Sequence, residues 1–213
     1  MDTFSERAAT WDDDPDKSER AREVADAIRA QLPLDGTERV LEFGGGTGLL
    51  SRQLAGDVAE ILITDAAPGM VEVARQRIAE LGLGSRMRAE RFDPTSADPD
   101  PGSFDLVWSL LALHHVPDAA AALRRLRELL VPGGRLALAD LDEDPEGAFH
   151  AAHGDFHGHD GFSRERLRDT LAEVGFTDIA FTTATRLTKE VGGQPRDFPL
   201  FLVTARRDDA ERR

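Results

Sequence analysis

Apolar residues recur at helical spacing over residues 18–32, at Val24, Ala25, Ile28 and Leu32, and Pro33 ends the run, so an N-terminal helix is predicted there. Short, continuous apolar stretches then alternate with helical ones. Strands are expected at 39–43, 61–64, 86–91, 104–108 and 136–139. Helices are expected at 49–55, from Pro68 to about residue 81, and at 119–130, where Pro132-Gly133-Gly134 follows. Strand and helix in alternation imply parallel neighbours, because a parallel pair needs a crossover long enough to hold a helix. The pattern therefore predicts an α/β fold, a doubly wound, mostly parallel sheet.

The pattern changes after Asp140. An acidic, Gly- and His-rich loop runs to about residue 162, a helix follows at 164–174, and two strands at 177–183 and 198–205 have no helix between them. Those two are expected to be antiparallel to each other and to close one edge of the sheet. A length of 213 residues fits one domain over 1–213. Within it, 1–33 reads as an N-terminal lid and helix, 38–140 as the cofactor-binding half, and 141–205 as the acceptor loop and closing strands.

The turn after the first strand narrows the chemistry. It reads Glu42-Phe-Gly-Gly-Gly-Thr-Gly48, with Gly44, Gly46 and Gly48 alternating at the opening of a helix, where bare backbone can approach a ligand. The dinucleotide fingerprint G-x-G-x-x-G does not fit, since Leu49 stands where its third glycine belongs. Glu42, two residues before the first glycine, would repel a pyrophosphate but suits a ligand bearing an ammonium group. Asp65 ends the second strand, the place where an α/β fold holds ribose hydroxyls.

With these residues the sequence resembles the class I S-adenosylmethionine-dependent methyltransferases. Further matches are Asp65-Ala-Ala-Pro-Gly-Met70, Gly102-Ser-Phe-Asp-Leu-Val-Trp-Ser109 and Leu130-Val-Pro-Gly-Gly-Arg-Leu136. The resemblance implies a Rossmann-like sheet of seven strands, the last antiparallel and lying between the fifth and sixth. It implies that the glycines pass under the methionine part and ribose, with Glu42 near the amino group. Asp65 would take both ribose hydroxyls, Ala66 and Met70 would line the adenine, and Asp93 would take its amino group, although the proline after Asp93 departs from the family. Ser109 and Leu110 would border the reactive methyl.

All six histidines fall in two places. His114 and His115 follow the fourth strand, at the edge where such folds bind ligands, and are candidates for a base that takes the acceptor's proton. A rival reading has them only shaping the pocket. His150, His153, His157 and His159, with Asp155 and Asp160, offer enough ligands for zinc or nickel, but their spacing matches no closed site, so no metal is expected and an acceptor-pocket role is preferred. The acidic stretch around Trp11 resembles segments that close over the cofactor.

Composition excludes several classes. A formal net charge of −14 repels phosphate backbones, so nucleic acid is not an expected partner. No cysteine is present, which removes disulfides, thiolate nucleophiles and sulfur-bound zinc, and permits a cytoplasmic setting. The best apolar run, residues 110–116, falls short of a membrane span and is broken by two histidines, and the acidic N-terminus lacks the features of a signal peptide. The expected activity is methyl transfer from S-adenosylmethionine to a small molecule, yielding S-adenosylhomocysteine. The rivals are a nicotinamide-dependent reductase on the same sheet and a non-catalytic protein that binds the cofactor or its product.

Overall fold

The computed structural model describes residues 3–96, 98, 101–151 and 158–208. Seven strands form one sheet: β1 (Arg39–Phe43), β2 (Glu60–Asp65), β3 (Met87–Arg91), β4 (Phe104–Leu110), β5 (Leu130–Leu141), β6 (Phe176–Val191) and β7 (Gln194–Arg207). Their order across the sheet is β3-β2-β1-β4-β5-β7-β6. The strands from β3 through β5 pair in parallel, whereas β7 runs antiparallel to both β5 and β6. The last strand is thus inserted between the fifth and sixth, as expected.

The inner strands are apolar without alternation because both of their faces are covered. Val40, Ile61, Ile63, Leu106 and Trp108 point into one core layer, and Leu41, Leu62 and Val107 into the other. The first layer is roofed by α2 (Pro15–Gln31), α3 (Leu49–Leu54) and α4 (Pro68–Glu80), through residues such as Ile28, Leu54 and Ala74. The second is roofed by α5 (Ala119–Leu129) and α6 (Arg164–Val174), through Leu123, Leu126 and Leu171. Three side chains set where these helices begin. Asp14, Asp118 and Ser163 accept from the amides of Asp16, Ala121 and Arg166, each satisfying a donor that the first turn leaves over.

Two parts were not visible in the apolar pattern. Ahead of α2, a short helix α1 (Thr3–Arg7) and a 3-10 turn (Ala8–Asp13) form a folded N-terminal segment, called the lid after its expected role. At the other end, β6 and β7 extend well past the predicted 177–183 and 198–205, meeting at a two-residue turn of Gly192 and Gly193, both with positive φ. Pro195 and Pro199 conceal the second strand, since proline donates no ladder bond. The extended part packs Leu187, Phe198 and Leu200 against Leu141 and the loop residues Ala148 and Phe149. It forms a wall that rises beyond the ends of the parallel strands. No helix among the described residues is long and apolar enough to cross a membrane.

Candidate active site

The carboxyl ends of β1, β2 and β4 gather the first group of predicted residues. Gly44 and Gly48 are required where they stand: their φ values are +60° and +84°, and a Cβ would lie 2.3 Å from the Ala112 Cβ and 2.6 Å from the Ile63 Cδ1 respectively. The loop is pinned by the Gly45 amide on the Thr64 carbonyl at 2.9 Å and by the Gly46 amide on the Asp65 carboxylate at 2.9 Å. Asp65 also accepts from the Ala67 amide at 2.8 Å, so the acid that ends β2 is fixed toward the glycine loop.

Glu42 lies beneath that loop with 1% of its surface exposed. Its Oε2 is buried with no hydrogen-bond donor. Burial, reinforced by the negative Asp65, pushes its pKa up to about 8, against hydrogen bonds from Ser51 and the positive Arg52. A buried acceptor atom without a donor is an energetic cost that a bound cation relieves.

The lid lies over the same region. Asp12 accepts from the Thr47 hydroxyl at 2.5 Å and from Arg52 at 2.7 Å, and the Ser5 hydroxyl accepts from the Gly69 amide at 2.9 Å. Beneath it Met70, 1% exposed, packs with Ala8 and Ala67, flanked by Phe4 and Trp11. Ala66 is exposed, with its carbonyl taken by Arg91. It is thus Ala67, not Ala66, that joins Met70 under the lid.

Three other predicted residues have structural partners. Asp93 accepts from the Thr95 amide at 2.8 Å and hydroxyl at 2.6 Å, an Asx turn that anchors the loop after β3. Ser109 is buried and donates to the Phe43 carbonyl at 2.8 Å, tying β4 to β1. Leu110 is partly buried between the main core and the hairpin wall.

The histidines converge from separate stretches of chain. His114, in a 3-10 turn (Leu113–His115), is buried, and its Nδ1 lies 2.6 Å from an oxygen of the fully buried Asp140 on β5. Asp140 is itself held by the amides of His114 and Leu141 at 3.2 and 2.7 Å. The rings of His115 and His150 lie 4.0 and 5.3 Å from that of His114, and His115 packs edge-on to Phe4 of the lid at 5.1 Å. His150 pairs with Asp160 at 3.1 Å, while burial lowers its pKa against that pairing. His159 is tied to the chain, its amide on the His114 carbonyl and its Nε2 at the Val116 carbonyl. His153, Asp155 and His157 lie outside the described residues. Among the described residues no group of three metal-ligating side chains is assembled. One cleft of about 820 Å³, open to solvent, is lined by Asp118, Asp144, His159 and Arg166, away from Glu42 and Asp65.

This fold recurs in known proteins. A family described as a methyltransferase domain matches residues 41–136. The ubiquinone biosynthesis O-methyltransferase of Xanthomonas euvesicatoria is 37% identical over 149 residues, which is 68% of this chain and 62% of that protein. The chain carries a methyltransferase domain with the class I methyltransferase fold. Solved methyltransferase structures share the fold. One is in the complex between the Haloferax volcanii Trm112 methyltransferase activator and the putative methyltransferase, with TM-score 0.76 at 18% identity, covering 98% of this chain and 99% of that one. Another is Haemonchus contortus phosphoethanolamine N-methyltransferase 2 in complex with S-adenosyl-L-methionine, with TM-score 0.69 at 17% identity, covering 87% of this chain and 52% of that one. The chain spans less than two thirds of the Xanthomonas methyltransferase.

Sequence reasoning singled out His114 and Glu42 but missed Asp140 and the lid residue Asp12. Asp140 carried one signal, an acid at the end of an apolar strand. Asp12 lies in an acidic run that does not distinguish it from its neighbours.

Proposed function

We propose that this chain transfers the methyl group of S-adenosylmethionine to a hydroxyl of a small-molecule acceptor and releases S-adenosylhomocysteine. The observation that carries the reading is the buried Glu42 oxygen without a donor beneath a glycine loop, a fit for an ammonium group lying over bare backbone. Asp65 offers its carboxylate to ribose hydroxyls, and Ala67 and Met70 offer an apolar floor to the adenine. Bound there, S-adenosylmethionine supplies a methyl carbon already activated by the sulfonium. The protein has then mainly to align the groups and exclude water.

His114 is assigned as the base. A hydrogen bond from its Nδ1 to Asp140 sets the tautomer in which Nε2 carries the lone pair, so the acceptor's hydroxyl proton passes to Nε2 as the oxygen takes the methyl. Asp140 stabilises the imidazolium so formed. His115 and Phe4 wall the acceptor's side, a role that waits on the lid being closed. The names of the Xanthomonas relatives support oxygen as the acceptor atom, and the net charge of −14 favours a small molecule over RNA.

The test is a calorimetric titration with S-adenosylhomocysteine beside NADH. Binding of the former alone, followed by label transfer from methyl-labelled S-adenosylmethionine to a phenol or catechol, is the expected result. Binding of NADH in its place would overturn the reading.

A further inference from the structure

Between the lid and the hairpin wall the chain gathers three cations that form no ion pair among the described residues. Lys189 on β6 is partly buried, with its Nζ 3.5 Å from the centre of the Phe149 ring and 3.0 Å from the Phe149 carbonyl. Arg7 ends α1 and lies over the Trp11 ring at 5.3 Å. Arg20, on the second turn of α2, has a buried Nε with no hydrogen-bond partner. Glu23 of α2 accepts from Thr185 of β6, which sets Arg20, one turn earlier on the helix, beside the strand that carries Lys189; burial and the nearby charges of Arg20 and Arg7 lower the Lys189 pKa. Among the described residues none of the three has an ion pair, in a chain of 40 acids and 26 bases.

Three acids, Asp14, Asp16 and Glu23, act on Arg20 through space, and two of them are hydrogen-bonded or paired elsewhere. Asp14 caps α2 at 3.0 Å and pairs with Lys17 at 3.5 Å, and Glu23 accepts from the Thr185 hydroxyl. Asp16 is exposed at the start of the helix. An arc of rings connects the two ends of this patch. Phe149 meets His150 at 4.9 Å, His150 meets His115 at 6.4 Å, His115 meets Phe4 at 5.1 Å and Phe4 meets Trp11 at 6.0 Å.

We propose that Arg7, Arg20 and Lys189 form a carboxylate-binding station beside this arc, and that the acceptor is a planar aromatic acid. The edge-to-face rings suit an aromatic body, and the partly buried Arg20 and Lys189 favour an anion more than exposed cations do. Two sources present the same carboxylate: the acceptor, or the amino-acid end of the cofactor. The assignment of an acceptor rests on the methyltransferase reading above; the station itself does not.

The experiment uses the full chain with benzoate and its neutral analogue benzamide as probes, with and without saturating S-adenosylhomocysteine. The expected result is a preference for benzoate of about tenfold that falls to about threefold or less in Lys189→Met and Arg20→Gln and returns in Lys189→Arg. Affinities for S-adenosylhomocysteine and for methylthioadenosine, which lacks the amino-acid end, stay unchanged in that case. If instead the variants weaken S-adenosylhomocysteine about tenfold and spare methylthioadenosine, the station stands and its carboxylate is the cofactor's, which overturns the acceptor assignment. Equal binding of benzoate and benzamide, with neither nucleoside affected, overturns the station. Failure of S-adenosylhomocysteine to bind at all strikes the methyltransferase reading, while the benzoate preference of the ligand-free chain still reads the station.

Discussion

Replacing Glu42 with Gln isolates the cost of holding a carboxyl group under the glycine loop. The folded protein raises this group from an ordinary 4.5 to about 8, chiefly by burial. Folding therefore favours the protonated form. Between those values the native state binds more protons than the unfolded chain, so the contribution is intact at low pH and is lost as pH rises toward 8. Each tenfold change in proton affinity corresponds to about 1.4 kcal/mol, and the whole effect amounts to about 3–5 kcal/mol for a group this thoroughly buried. Glutamine has the same shape and does not titrate. Urea unfolding of both proteins at several pH values from about 5 to 8 is the assay, read as the difference between them so that other titrating groups cancel. The variant is expected to match the native protein near the lower limit and to exceed it by several kcal/mol near the upper. A ligand carrying an ammonium group reverses the preference, because it pairs with the ionised carboxylate. Calorimetry with S-adenosylhomocysteine in buffers of different ionisation enthalpy is then expected to register proton release near neutral pH from the native protein and none from the variant. Parallel stability curves, with no proton release from either, would refute the reasoning.

Three further outcomes are expected. Asp65→Ala weakens S-adenosylhomocysteine by about 1–3 kcal/mol in calorimetry, since charged hydrogen bonds to ribose are removed; an unchanged affinity would place the ribose elsewhere. His114→Ala lowers turnover far more than cofactor affinity, and Asp140→Asn shifts the pH profile of kcat because the tautomer is no longer fixed; native rates from both would remove the base. Gly48→Ala costs about 1–3 kcal/mol in thermal or urea unfolding, because φ is +84° and the new methyl meets Ile63 at 2.6 Å; native stability would mean that the loop moves freely.

The parallel half of the sheet was legible because burial on both faces writes itself as short uninterrupted apolar runs, as in residues 61–63 and 106–108. The glycine loop was legible for a different reason: few residues other than glycine tolerate its backbone, so its conformation is spelled in composition. The hairpin beyond Thr183 was not, since its polar outer face and two prolines imitate a loop while the register with β5 and β6 holds it extended. The His114–Asp140 pair escaped because 26 residues separate its members and only the parallel pairing of β4 with β5 brings them together. Asp93 is the reverse case: an acid at the right place in sequence has one oxygen, Oδ1, taken by its own turn.

The Asp12 contacts impose an order of events. Thr47 lies inside the glycine loop, and Asp12 grips both it and Arg52 with little of either charged partner exposed to solvent. On the function proposed, a nucleoside enters only after these bonds break, and their re-formation once it is seated lengthens its stay. The same segment brings Phe4 to His115, so the face proposed to meet the acceptor is complete only with the lid shut. Steady-state kinetics should accordingly be sequential and ordered, with the nucleoside first to bind and last to leave, and with its departure setting the pace of turnover.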